Sequence, residues 1–187
     1  RREAVLHVAG LGGAVLLGAA ASGRAAGAEP RAGAFNVRDW GATGDGKALD
    51  TQPLQATIDG CARAGGGTVH FPAGTYRTGT LFLKSRVTLH LDAGATLLGS
   101  TDLKDYPSTV SKVRSYTDNY TERSLIYAED CEQIALHGRG VIDGQGAAFK
   151  GGYKVRPYLI RVIACKGVSV RDLTIKDSPM WVQHYLA

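Results

Sequence analysis

The chain carries 17 carboxylate and 5 histidine side chains among its 187 residues, and the chemistry open to them depends on which converge. General acid–base catalysis needs two titratable groups facing one cleft. His70, His90, His137 and His184 are too scattered for a zinc signature, and His90 and His137, each following a Leu, read as ladder or surface residues. No Ser stands in a nucleophile-elbow pattern. Asp143 and Asp177 are the one carboxylate pair on a shared spacing, yet each sits at a turn, where Asp commonly bonds its own backbone. Residues 41–47, Gly-Ala-Thr-Gly-Asp-Gly-Lys, nearly match a phosphate-cradling loop. Ala48 nevertheless stands where a magnesium-binding hydroxyl belongs, and the following helix starts several residues late. Asp45 and Asp50 miss the spacing of a calcium loop. No metal and no cofactor is therefore expected. Asn119-Tyr120-Thr121 is a glycosylation acceptor sequence. Cys61, Cys131 and Cys165 are too few for a disulfide scaffold and read as small buried hydrophobes, with one bridged pair as the alternative.

The elements that must position these groups are short. Gly accounts for 25 residues, nearly twice the usual ~7%, with no three-residue period; frequent sharp turns explain it. Residues 35–37 alternate like a strand. One helix follows: Asp50 or Thr51 caps it, Pro53 suits its first turn, Leu54, Ile58 and Cys61 share a face, and Gly65 to Gly67 end it. From Thr68 onward the pattern is strands at 69–71, 80–83, 87–91, 96–98, 125–127, 134–137, 159–162, 168–170 and 173–175, punctuated by Gly, Asp and Asn. Sheet sandwiches, barrels and solenoids all fit such a series, and an internal repeat decides among them. A shift that carries Leu125-Ile126 onto Leu159-Ile160 also carries Cys131 to Cys165, Ile134 to Val168, Leu136 to Val170 and Asp143 to Asp177. Matches at one lag favour stacked coils whose inward residues form ladders. The helix then lids one end of the stack. The other end, after the strand-like Trp181-Val182, has no cap, so the chain is expected to be the N-terminal part of a longer protein.

Residues 1–28 read as an export signal rather than as part of that stack. Arg1 and Arg2 precede an apolar run over 5–21 diluted by glycine, and Ala26-Gly27-Ala28 is a small-residue cleavage pattern. The paired arginines suggest twin-arginine export, with a general secretory signal as the alternative. The run is short for the ~20 residues of a membrane span. A secreted or periplasmic domain over residues 29–187, free of the membrane after cleavage, is the expectation. The net charge of +5 shrinks further when that segment is removed. No basic block or RNA-binding aromatic motif accompanies it, so nucleic acid is not an expected partner.

Two stretches resemble known proteins. Residues 35–46, the helix, and residues 65–76, Gly-Gly-Gly-Thr-Val-His-Phe-Pro-Ala-Gly-Thr-Tyr, resemble the opening of the pectate-lyase-like β-helix superfamily. Residues 140–146, Gly-Val-Ile-Asp-Gly-Gln-Gly, then Arg156-Pro157 with Leu159-Ile160, and residues 178–184, Ser-Pro-Met-Trp-Val-Gln-His, look like the polygalacturonases, glycoside hydrolase family 28. The resemblance implies an all-β fold, a right-handed parallel β-helix with an N-terminal capping helix, truncated here on its C-terminal side. It implies a monomer that hydrolyses α-linked galacturonan, the acidic polysaccharide of pectin, with inversion and without a metal. Inverting carboxyls stand roughly 6.5–9.5 Å apart. The family places them in an Asn-x-Asp motif and an Asp-Asp pair, supported by Gly-His-Gly and Arg-x-Lys. None of these occurs in this sequence, and all are expected beyond Ala187, so no catalytic residue is carried over and the chain alone is expected to be inactive. Asp143 and Asp177 match structural turns of the family. Trp181 and His184, the last residues before the expected catalytic coils, are the candidate substrate-binding residues, with core packing as the other reading of each. Lyase or epimerase chemistry on the same scaffold, and a non-catalytic glycan-binding β-helix, are the alternatives.

Overall fold

The computed structural model describes residues 33–113 and 120–187. The expected export signal and Asn119 lie outside them. The chain enters through β1 (Ala34–Asn36) and β2 (Asp45–Leu49) and forms helix α1 (Thr51–Arg63). It then coils through β3 (Gly67–Phe71), β4 (Gly74–Thr78) and β5 (Leu81–Phe82), and through β6 (Val87–Leu91), β7 (Ala95–Gly99) and β8 (Ser124–Glu129). Two further turns of the coil comprise β9 (Glu132–Gly138), β10 (Val141–Asp143) and β11 (Tyr158–Ile163), then β12 (Lys166–Arg171), β13 (Thr174–Lys176) and β14 (Gln183–Leu186). Like strands of successive coils pair in parallel. Sheet A has the order β1-β3-β6-β9-β12, sheet B β13-β10-β7-β4-β2, and sheet C β14-β11-β8-β5. This is the parallel β-helix that the sequence implied.

Alternation in each strand sends one set of side chains into the coil, and register stacks those sets into columns. Val69, Leu89, Leu136 and Val170 form one column in sheet A. Tyr76, Leu97, Ile142 and Ile175 form one in sheet B, and Leu81, Ile126 and Ile160 one in sheet C. Most of these residues are fully buried. The expected shift holds in sheets A and C, where Ile134 pairs with Val168 and Ile126 with Ile160. It fails in sheet B, where Asp143 pairs with Lys176 rather than Asp177. The cause is local: Gly138, Arg139 and Gly140 separate β9's His137 from β10, whereas only Asp172 and Leu173 separate Arg171 from β13.

Helix α1 buries Leu54, Ile58 and Cys61 as expected and packs on β3 and β5. Its capping differs from expectation. Asp50 makes no side-chain cap bond to the helix. Its carboxylate instead accepts from the Thr43 and Gly44 amides at 2.8 and 3.0 Å, binding the preceding turn to the helix start. No helix among the described residues is long and apolar enough to cross a membrane.

Candidate functional site

The connections from sheet B to sheet C set the site. In the first coil only Gly79 and Thr80 join them, but the next three connections span residues 100–123, 144–157 and 177–182. All leave the same corner, so they collect beside the outer face of sheet C. On that face register aligns Phe82, Tyr127, Arg161 and His184 in one row.

A cleft of about 420 Å³ opens over Arg161 of this row, with Thr109, Tyr120, Glu122, Arg123 and Lys154 also in its lining. That volume falls in the ~300–1,000 Å³ range of small-molecule sites. Arg161 is only 3% exposed, and a buried guanidinium is tolerated when it is hydrogen-bonded. Its Nη1 donates to the Thr121 carbonyl at 3.1 Å, and its charge lies 5.0 Å from the centre of the Tyr158 ring. Arg123 donates to the carbonyls of Leu103 and Tyr106, which fastens the first long connection. Lys154 is exposed. Glu122 is the one carboxylate among the described lining residues, and it accepts a bond from Ser108.

Both candidate substrate-binding residues lie beside this cleft rather than in its lining, in an aromatic group that meets it at Tyr120. His184 is 8% exposed and stacks on Tyr158, with ring centroids 4.8 Å apart and planes 19° apart. Trp181 lies 5.3 Å from His184 and 5.4 Å from Tyr120, yet it is 45% exposed. Trp181 is therefore a surface ring on an aromatic bed, and His184 is part of that bed. Trp181-Val182, read as strand-like, precedes the strand, which begins at Gln183.

The other sequence candidates fall elsewhere. Lys176 bridges Asp143 at 2.8 Å and Asp177 at 3.5 Å, and Asp143 also accepts from the Gln145 amide at 2.9 Å. Asp143 is thus held at the end of β10, while Asp177, just past β13, stays largely exposed. The phosphate-loop likeness ends in β2, not a helix. Its amides are already taken, since Asp45 accepts from Lys47 and Ala48 at 2.8 and 2.9 Å. Those amide bonds hold the Asp45 carboxyl below the usual carboxylate range. His70, His90 and His137 do stack on the outside of sheet A. Burial and the nearby Arg171 push His137 below the ordinary histidine range. Among the described residues no group of three or more His, Cys, Asp or Glu could hold a metal ion.

Sequence reasoning missed Tyr120, Arg123, Lys154, Tyr158 and Arg161. Only Arg161 carried a signal: a charge inside a strand whose every residue is buried. The loop residues follow no period and gave none.

Stacked parallel sheets with a loop-built cleft on one outer face define the pectate-lyase-like class of β-helix proteins. Within that class the chain belongs to the rhamnogalacturonase A/epimerase, pectate lyase-like family, whose model matches residues 34–176. It is 41% identical over 120 residues to the exo-poly-α-D-galacturonosidase of Dickeya chrysanthemi, across 60% of this chain and 19% of that protein. It is 36% identical over 154 residues to the plasmin and fibronectin-binding protein A of Streptococcus pneumoniae, across 78% of this chain and 21% of that one. The family 28 exopolygalacturonase structure from Yersinia enterocolitica superposes with a TM-score of 0.68 at 28% identity, over 82% of this chain and 36% of the other. The chain thus spans about a fifth of the length of both curated relatives.

Proposed function

We propose that this chain is part of an exported hydrolase that cleaves α-linked galacturonan with inversion, and that it supplies a binding wall while the catalytic carboxylates come from elsewhere in the protein. The observation that carries this reading is a cleft lined by Arg123, Lys154 and Arg161, with the exposed Trp181 ring beside it against the lining residue Tyr120. Guanidinium and ammonium groups suit uronate carboxylates, and an aromatic face suits the apolar face of a sugar ring. The 41% identity to an exo-poly-α-D-galacturonosidase supports the same substrate. In this arrangement Lys154 meets a carboxylate in solvent, Arg161 sets the positive floor, and His184 with Tyr158 holds the Trp181 ring at its angle.

The test is incubation of the full-length protein with polygalacturonate, following reducing ends and the anomer first released. New reducing ends of inverted configuration that persist in a calcium chelator support the proposal. Calcium-dependent product absorbing in the ultraviolet would instead mean lyase chemistry. Saturable binding without cleavage would mean an adhesin-like role, which the 36% identity to a fibronectin-binding protein keeps in view. In the active enzyme, Trp181→Ala should raise KM roughly tenfold with a smaller change in kcat, the signature of lost uniform binding.

A further inference from the structure

Cys131 and Cys165 occupy equivalent corners between sheet C and sheet A, one coil apart. The residues on either side are register partners: Glu129 pairs with Ile163, and Glu132 with Lys166. The cysteines therefore lie one inter-strand spacing apart, about 4.8 Å between Cα atoms, inside the 4.4–6.8 Å range of disulfides. The same translation sets their Cβ atoms about 4.8 Å apart, so closure draws the two corners together by a few tenths of an ångström toward the ~3.5–4.5 Å a disulfide needs. The backbone has the same form at both corners, because Asp130 and Ala164, the residues just before each cysteine, are left-handed at φ 52° and 48°. Each thiol bonds the carbonyl two residues back, Cys131 to Glu129 at 3.3 Å and Cys165 to Ile163 at 3.2 Å. The Cys131 amide also donates to the Cys165 sulfur at 3.3 Å. Like corners, like thiol directions and a sulfur seated on the partner's amide put the two side chains side by side.

We propose that Cys131 and Cys165 close into a disulfide that staples successive coils, formed by exchange with a small disulfide such as oxidised glutathione. The two thiols are free in the structure. Cys165 is half-buried and Cys131 buried, so the first attack falls to Cys165. Burial and the neighbouring Cys165 push the Cys131 thiol above the ordinary cysteine range, against smaller opposing effects of the Glu129 backbone and the Lys84 charge, so Cys131 acts second. The Cys165 thiolate attacks one sulfur of glutathione disulfide, forming a mixed disulfide and releasing one glutathione thiolate. The Cys131 thiolate then attacks the Cys165 sulfur and expels the second. Two protein thiols and one disulfide become one protein disulfide and two glutathiones, which take up the two protons. The loop so closed contains β11 and with it Arg161, so the staple pins the coil that floors the cleft. Cys61, fully buried on the inward face of α1, stands at no such corner and serves as an internal control.

The protein is treated with oxidised glutathione at pH 8, blocked with an alkylating reagent, digested without reduction and analysed by mass spectrometry. The expected result is a linked pair of peptides carrying Cys131 and Cys165, two hydrogens lighter than their sum, with Cys61 alkylated only after unfolding. Oxidised protein should melt roughly 5 °C or more above the reduced form, and dithiothreitol should reverse the gain. Cys165→Ala should abolish both the link and the gain while leaving the reduced protein folded. Alkylation of both cysteines overturns the proposal, as does a mixed disulfide on Cys165 that never resolves or a link through Cys61. A link that leaves the melting temperature unchanged or lowers it overturns the stapling role. None of these readouts requires activity.

Discussion

Arg161 lies mid-strand among five apolar or aromatic neighbours, and its guanidinium is held by a backbone carbonyl and an aromatic face. Removing a buried, hydrogen-bonded charge leaves its acceptors without a donor, at about 1–3 kcal/mol. Arg161→Met should therefore lower the urea-unfolding free energy by about 1–3 kcal/mol. It should also weaken polygalacturonate binding about tenfold, as titration calorimetry would register. A second residue-scale prediction concerns the phenols Tyr106 and Tyr127. Burial pushes both above the ordinary tyrosine range, and Tyr127 also donates to Glu129 at 2.7 Å. A phenol raised in the fold stabilises the native state below its unfolded pKa of about 10. That contribution is lost as pH rises from there toward the folded value. Unfolding midpoints should fall above pH 10, and less steeply in Tyr127→Phe. Trp181 and His184 became candidates only through family likeness, because a lone Trp-x-x-His has no physical signature of its own. Arg123 and Lys154 sit in connections, where composition does not report which way a side chain faces.

At the scale of the element, strands with strong alternation were legible and those built from turn residues were not. β6, Val-Thr-Leu-His-Leu, reads plainly as a strand. β4, Gly-Thr-Tyr-Arg-Thr, looks like a turn, and its one fully buried apolar residue is Tyr76. β10 and β14 are too short to show a period, and β2 hides in a Gly-Asp-Gly turn. The single lag was legible because it spans two coils with corners of nearly equal length. It misled at Asp177 because a one-residue difference at a corner moves every later partner. That corner makes a sharp prediction. Gly138 has φ +123°, and a Cβ there would meet the Leu91 carbonyl oxygen at 2.0 Å, an oxygen that accepts from both Arg139 and Gly140. Gly138→Ala should cost about 2 kcal/mol or more in urea unfolding. Gly152→Ala, in open space, should stay within about 0.5 kcal/mol.

For the whole molecule, stability is a sum over neighbouring coils. Among the described residues β6 and β9 each have strand partners on both sides, whereas β5, two residues long, has only β8. Amide exchange should be slower in β6 and β9 than in β5, a difference that mass-detected hydrogen exchange would resolve. Uniform protection would contradict it. The columns also set how the fold tolerates change. The corners from A to B and from C to A stay short, while the B-to-C corner releases connections of very different length with the ladders of every sheet still in register. Insertions at that one corner are thus decoupled from folding. A lineage can redraw the groove wall by lengthening or trimming a loop while the scaffold drifts slowly beneath it, which is a physical route by which relatives named for galacturonan cleavage and for fibronectin binding share one architecture.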